Sequence, residues 1–205
     1  MTNPRTLIVD LPVSNSKALY HALSSLGITS VISNDVTQIR EAERIILPGV
    51  GSFDRAVKAL NEMRIFHPLK EAVSSGTPTL GVCLGLQLLC NSSGESLEEE
   101  GLGFIPLHCR QFPSGNLKVP HVGWNEVQRN RESHLFSGIP SSFAAYFCHS
   151  YYVPINETST VASCTYGSPF SAIIASGNVF GLQFHPERSQ KIGLKLLNNF
   201  ILETF

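Results

Sequence analysis

The 205-residue chain is predicted to be an α/β protein, a mostly parallel central sheet flanked by helices and extended by antiparallel strands in its C-terminal half. Three observations predict this. Short apolar runs alternate with helix-period segments through the first half, the pattern of parallel strands covered on both faces. Closely spaced strand candidates separated by glycine- and proline-bearing turns fill the second half, which calls for antiparallel pairing. The composition, 42% hydrophobic and 15% charged, supplies a globular core and excludes wholesale disorder.

The elements follow in order. Leu7-Ile8-Val9 reads as a buried strand, stopped by Asp10 and Pro12. From Ser16 to Leu26 the apolar residues Leu19, Leu23 and Leu26 recur at helical spacing, and Gly27 is placed to end that helix. Val31-Ile32 is a second strand, Val36 to Ala42 a short helix, and Ile45-Ile46-Leu47 a third strand running into Pro48-Gly49-Val50-Gly51. Helices are expected from Phe53 to Met63 and from Pro68 to Ser75, the second stopped by Gly76, with a strand at Thr79 to Val82. Beyond these come strand candidates at Trp124–Val127, Tyr146–His149, Val161–Thr165, Ser171–Ala175 and Val179–Phe184. The C-terminal helix, Ile192 to Leu202, carries Leu196, Leu197, Phe200 and Ile201 as its apolar stripe.

No repeat or linker divides the chain, so residues 1–205 are expected to form one domain. A formal charge of −1 gives no electrostatic reason to expect nucleic acid or an anionic membrane as partner. No apolar run reaches the ~18 residues needed to cross a bilayer, and the N-terminus lacks the layout of a signal peptide, so a cytoplasmic location is expected. The five cysteines, Cys83, Cys90, Cys109, Cys148 and Cys164, show no metal-ligand spacing, and no metal or other cofactor is expected. Four of them read as small buried hydrophobes; Cys83 is different.

Cys83 lies in Thr79-Leu80-Gly81-Val82-Cys83-Leu84-Gly85-Leu86-Gln87, a strand, a Gly-x-Cys-x-Gly turn and the start of a helix. Two readings fit this stretch: a core cysteine with incidental glycines, or a nucleophile projecting from a sharp strand-to-helix turn whose neighbours have no side chain in the way. On the second reading the following helix aims its first amide dipoles at the sulfur. A cysteine nucleophile needs a base, and the base an orienting group. His21 and His67 fall in helices, His108 and His134 in irregular segments, all as surface or packing residues. His185 is distinct, because it follows a buried strand in Phe184-His185-Pro186-Glu187. In an extended segment the side chains of His185 and Glu187 would face the same way, so that the carboxylate fixes the imidazole.

The stretches GVCLGLQ and FHPERS resemble those of the class I glutamine amidotransferases. Further stretches, LPGVGSFDRA, GLGFIP, VPHVGWNEV, YFCHSYYV and YGSPFSA, extend the likeness along nearly the whole chain, and PHVGWN points within that family to the glutaminase subunits of imidazole glycerol phosphate synthases. The resemblance implies the family's three-layer fold and a Cys-His-Glu triad that cleaves L-glutamine: Cys83 as nucleophile, His185 as base and then acid, Glu187 as the residue orienting it. It implies an oxyanion hole from the Leu84 N–H and the Val50-Gly51 segment. Gly49, Gln87, Glu95, Ser150 and Tyr151 would hold glutamine, with Glu95 on the ammonium and the Ser150 and Tyr151 amides on the carboxylate. It also implies a heterodimer with a cyclase of (β/α)₈ barrel fold that consumes the ammonia, docked on Asn15, Pro120, His121 and Trp124.

Several of these residues have plain structural alternatives: Glu95 as an exposed loop residue, His121 as a loop residue, Trp124 as a core residue. Two departures from the family pattern stand out. The segment Asp10-Leu11-Pro12-Val13-Ser14-Asn15 keeps Asn15 but lacks the glycines usual after the first strand, and Gly94 stands before Glu95 where an acidic residue is common. An amidotransferase serving another synthase, such as one amidating surface sugars, shares the triad motifs. An inactive binding module on the same fold would be expected to lack part of Cys83, His185 and Glu187.

Overall fold

The computed structural model describes residues 5–12, 14–96, 98–113 and 117–202. Five strands form the parallel half of the main sheet: β1 (Thr6–Val9), β2 (Ser30–Ser33), β3 (Arg44–Leu47), β4 (Thr79–Val82) and β12 (Val179–Leu182), in the order β2-β1-β3-β4-β12. Beyond β12 the sheet continues antiparallel through β11 (Ser168–Ser176), β10 (Thr160–Tyr166), β7 (His121–Arg129) and β8 (Ser142–His149). A smaller sheet joins β5 (Cys90–Ser93), β6 (Ile105–Gln111) and β9 (Tyr151–Tyr152).

Strand geometry makes two cores from one run of apolar residues, because successive side chains leave opposite faces. Ile8, Ile46, Leu80 and Val82 pack on one face with Leu19 and Leu23 of α1 (Ser16–Ser25) and Leu196, Leu197 and Phe200 of α6 (Gln190–Leu202). Leu7, Val9, Ile45 and Leu47 pack on the other face with residues of α2 (Val36–Glu41), α3 (Phe53–Glu62), α4 (Phe66–Ser74) and α5 (Leu84–Leu89). The continuous apolar strands of the first half are thus buried on both faces, as their sequences predict.

The expected strands and helices of the first half are present within two residues of their expected ends. Gly27 adopts φ +73° just past α1, the left-handed position a helix-ending glycine supplies. The second half departs more. β7 begins at His121, so PHVGWN runs into a strand, with Gly123 at φ +135° inside it. His121 is consequently a buried strand residue. His108, expected in an irregular segment, lies on β6, and His134 opens the 3₁₀ turn His134–Phe136. Cys90, Cys109 and Cys164 are buried, but Cys148 is exposed, because it sits on the outward face of the edge strand β8 between inward Phe147 and His149.

Candidate active site

The site lies beyond the carboxyl ends of the parallel strands, where open α/β sheets place their ligands. β4 delivers Cys83, β12 leads into His185, the loop after β3 brings Val50 and Gly51, and the loop after β1 brings Asn15. These residues line a cavity of about 480 Å³ together with Leu84, Gln87, Glu95, Pro120, His149, Ser150, Tyr151, Glu187 and Arg188. That volume is in the range of small-molecule sites.

Cys83 stands between β4 and α5 at φ +54°, ψ −106°, a conformation non-glycine residues rarely adopt. Its amide is held by Leu182 O of β12 at 2.7 Å. The two flanking glycines owe their presence to close backbone packing. A Cβ on Gly81 would lie 2.5 Å from Leu86 N, and one on Gly85 would lie 1.7 Å from Leu47 O. Helix α5 therefore sits directly against β4 and the end of β3, while Cys83 itself carries the strained turn. The sulfur faces Cys148 O at 3.7 Å and Gln183 Nε2 at 3.9 Å.

His185 is buried, its amide bonded to Tyr146 O at 2.9 Å and its carbonyl accepting from Ser189 Oγ at 2.7 Å. Its Nδ1 pairs with Glu187 Oε1 at 3.0 Å, which leaves Nε2 for the sulfur. This pairing does not come from an extended segment, as the sequence pattern implied. Pro186–Arg188 forms a 3₁₀ turn, and that turn brings the carboxylate back onto the ring. The turn is backed closely by α6, since a Cβ on Gly193 would fall 1.9 Å from Pro186 O. Burial works against a charged imidazole here, but the neighbouring Cys83 sulfur and Glu187 carboxylate outweigh it and raise His185 to about 10. The ring is thereby suited to keep a proton taken from the thiol.

Asn15 turns its amide inward. Asn15 Nδ2 donates to Glu187 Oε1 and lies 3.5 Å from His185 Nδ1, so it braces the same pair of atoms. Glu95 has one oxygen engaged: Oε2 accepts from Phe53 N at 2.7 Å and caps α3, whose Ser52 side chain does not. It is half-buried rather than an exposed loop residue. Gln87 likewise directs its amide into the protein, to Tyr151 O at 2.8 Å and Gln183 Oε1 at 3.4 Å.

Gly49 does not reach the cavity lining; it packs on α5, where a Cβ would lie 2.7 Å from Leu84 Cβ. Pro120 does reach it, while His121 is buried behind and Trp124 lies outside. Trp124 is 49% exposed, not a core residue, and shares an outward face of β7 and β8 with Val122 and Tyr146. The Arg188 guanidinium stacks 4.1 Å over the Tyr146 ring at the cavity rim. Sequence reasoning missed His149 as a lining residue, although the alternation Phe143, Ala145, Phe147, His149 points inward and carries it there.

A family profile described as glutamine amidotransferase class-I matches residues 7–204. The chain belongs to the class I glutamine amidotransferases. Among curated relatives, this amidotransferase is 43% identical to the imidazole glycerol phosphate synthase subunit HisH of Methanosarcina barkeri, over 96% of this chain and 98% of that protein. It is 40% identical to the protein of the same description from Listeria monocytogenes, over 95% of this chain and 93% of the relative. Solved structures share the fold at lower identity. The structure of PurLQS from Thermotoga maritima matches with TM-score 0.74 at 23% identity, covering 97% of this chain and 98% of that one. A crystal structure of a glutamine amidotransferase matches with TM-score 0.74 at 19% identity, covering 95% of this chain and 96% of the other. The amidotransferase fold read from the sequence is thus the observed one, with the small sheet of β5, β6 and β9 as its unanticipated part.

Proposed function

We propose that this amidotransferase is the glutaminase subunit of an imidazole glycerol phosphate synthase, a cytoplasmic enzyme of histidine biosynthesis. The observation that carries the chemistry is Cys83 on its strained turn, lining the same cavity as His185, whose Nδ1 is held by Glu187 at 3.0 Å. In this reading L-glutamine enters the cavity with its side-chain amide over Cys83 Sγ. The thiol proton passes to His185 Nε2 and sulfur adds to the amide carbon, giving a tetrahedral oxyanion. Leu84 N–H and an amide of the Val50-Gly51 segment bind that oxyanion; losing one such donor commonly costs about 10²–10³ in rate. His185 then protonates the nitrogen, the C–N bond breaks, and ammonia leaves a glutamyl thioester. Water, deprotonated by the same ring, hydrolyses the thioester to glutamate and restores the thiol.

Glutamine is held at its amino-acid end by Glu95, through the carboxylate oxygen not engaged at Phe53, and by the Ser150 and Tyr151 amides. The ammonia passes to a cyclase subunit with a (β/α)₈ barrel, which joins it to a phosphorylated ribulosyl nucleotide and forms imidazole glycerol phosphate and aminoimidazole carboxamide ribotide. Exposed Val122 and Trp124, on the strand that follows cavity-lining Pro120, support a docking face beside the cavity. The test is a glutaminase assay with and without the cyclase and its nucleotide ligand, in wild type and Cys83→Ala. Turnover that rises with the cyclase and vanishes in Cys83→Ala is expected. Activity retained in Cys83→Ala would remove the nucleophile assignment, and indifference to the cyclase would assign the chain to another synthase.

A further inference from the structure

From the cavity-lining residues His149 and Tyr151 a hydrogen-bonded chain runs into the protein, and the cleavage steps do not use it. His121 Nδ1 and His149 Nε2 are 3.1 Å apart, and His149 Nδ1 lies 2.8 Å from Tyr151 O. At the other end Asn125 Nδ2 lies 3.4 Å from His121 Nε2. Both histidines are buried, with His121 stacked between Tyr166 and Phe147 at centroid distances of 4.1 and 4.8 Å.

Only one neutral proton arrangement satisfies this chain. A carbonyl accepts and never donates, so His149 carries its hydrogen on Nδ1 and offers Nε2 as acceptor. His121 must then donate from Nδ1 and accept at Nε2. Asn125 can supply that last hydrogen because its amide is fixed on both sides: Nδ2 also donates to Thr165 O at 3.1 Å, and Oδ1 accepts from Glu126 N at 2.8 Å. Burial favours the neutral state, lowering His121 to about 4. Burial also lowers His149, to about 3; the Tyr151 carbonyl opposes this, while His121 and His185 add to it.

The chain ends on the residue whose amide faces glutamine in the proposed function. In the antiparallel pairing of β6 and β9, Phe112 N donates to Ser150 O at 3.1 Å, which makes Gln111–Tyr151 a non-hydrogen-bonded pair. Tyr151 therefore turns its own N–H and C=O away from β6. Its carbonyl is gripped by His149 and by Gln87 Nε2 at 2.8 Å, one from β8 and one from the nucleophile helix.

We infer that His121 and His149 are positioning residues for glutamine: a neutral relay from Asn125 to the Tyr151 carbonyl that fixes the Tyr151–Tyr152 peptide and, through the Tyr151 Cα, the adjoining N–H that Tyr151 offers to the substrate α-carboxylate. This rests on the glutaminase reading above. Two measurements test it. In the wild-type full-length chain with ¹⁵N-labelled histidine, long-range ¹H–¹⁵N correlation spectra at pH 7 should show two neutral rings protonated on Nδ1. Finding either ring protonated on Nε2 would overturn the relay.

The second measurement is inactivation by the glutamine analogue 6-diazo-5-oxo-L-norleucine, with iodoacetamide, which lacks the amino-acid end, as the comparison. His121→Phe keeps a ring but leaves His149 Nε2 without its donor; an unsatisfied buried acceptor of this kind predicts a rise of about tenfold or more in the half-saturating analogue concentration. The iodoacetamide rate should stay within about twofold. His121→Asn, whose amide can donate from near the Nδ1 position, should return half-saturation to within about threefold of wild type. Equal half-saturation in wild type and His121→Phe, or equal impairment in the Asn and Phe variants, would overturn the inference alone. A wild-type Cys83 that the analogue never modifies would overturn the glutaminase reading and the inference with it.

Discussion

Gly85→Ala puts the packing of the nucleophile turn to the test, because two opposed effects have different sizes there. Gly85 lies within α5, and in a helix alanine is normally favoured over glycine by about 1 kcal/mol. Against that, the new methyl carbon would sit 1.7 Å from Leu47 O, half of the 3.4 Å at which ordinary contact begins. Its other close neighbours, Leu47 C at 2.7 Å and Pro48 C at 3.4 Å, are also backbone, so no side chain can swing aside. Overpacking typically costs about 1–3 kcal/mol where neighbours relax. With backbone on both sides the upper end is expected, a net loss of about 2 kcal/mol or more after the propensity gain. Relief requires the end of β3 to move away from α5, which displaces Val50 and Gly51 relative to Cys83. Misplacement on the 1 Å scale costs about 10²-fold in rate. Urea denaturation should therefore show a clearly lower midpoint, and glutaminase activity of the folded fraction should fall by about that factor. An unchanged or raised midpoint would refute the close approach of α5 to β3 and return Gly85 to an ordinary helical glycine.

The remaining predictions concern pH and the partner face. His121 and His149 are lowered in the folded state, so the unfolded chain binds more protons below about 6.5, and their contribution to stability is lost as pH falls from there toward about 4 and 3. His185 is raised, so its contribution is full below about 6.5 and is lost as pH rises toward about 10. Thermal midpoints should therefore peak near neutral pH, and His185→Asn should flatten the alkaline limb while leaving the acid limb in place; an alkaline limb unchanged in that variant would contradict the His185 pairing. Trp124→Ala should weaken cyclase association by about 2 kcal/mol, the size of an interface hot spot. Calorimetric titration reads this directly, and an unchanged affinity would take Trp124 out of the interface.

The reacting groups were legible in the sequence for a definite reason. Cys83 and His185 each stand one to three residues beyond an apolar strand, and parallel strands that share a sheet bring such positions together. Glu187 was legible as a partner of His185 from its spacing, although a 3₁₀ turn and not an extended strand makes the contact. What the sequence hides are the contacts between distant segments. Asn15 braces Glu187 from 172 residues away, and Glu95 caps α3 from 42 residues away; neither leaves a local pattern. The small sheet was missed because Ile105-Pro106-Leu107-His108 sets a proline at the second position of β6. His121 was open to reading as a loop residue because Pro120 and Gly123 signal a turn, whereas Gly123 takes its positive φ inside a strand.

The distribution of close contacts shows where this site has slack. Cys83 occupies a conformation that costs about 1–3 kcal/mol, and such strain persists only where the surroundings over-determine it. Here three strands do so. β12 holds the Cys83 amide through Leu182 O, β4 meets α5 at Gly81, and β3 meets α5 at Gly85. Moving the Cys83 backbone therefore requires repacking the centre of the main sheet. His185 and Glu187 are similarly confined, between the Tyr146 carbonyl on β8 and the close approach of α6 at Gly193. The Pro48–Gly51 loop is held at its start, where Gly49 packs against Leu84. Beyond that point Val50 is 37% exposed, and Gly51 at φ +97° has conformations open to it that other residues lack. Of the two candidate oxyanion donors, Leu84 N–H is thus fixed with the nucleophile, and the Val50-Gly51 amides are the part of the site that can change without disturbing the sheet.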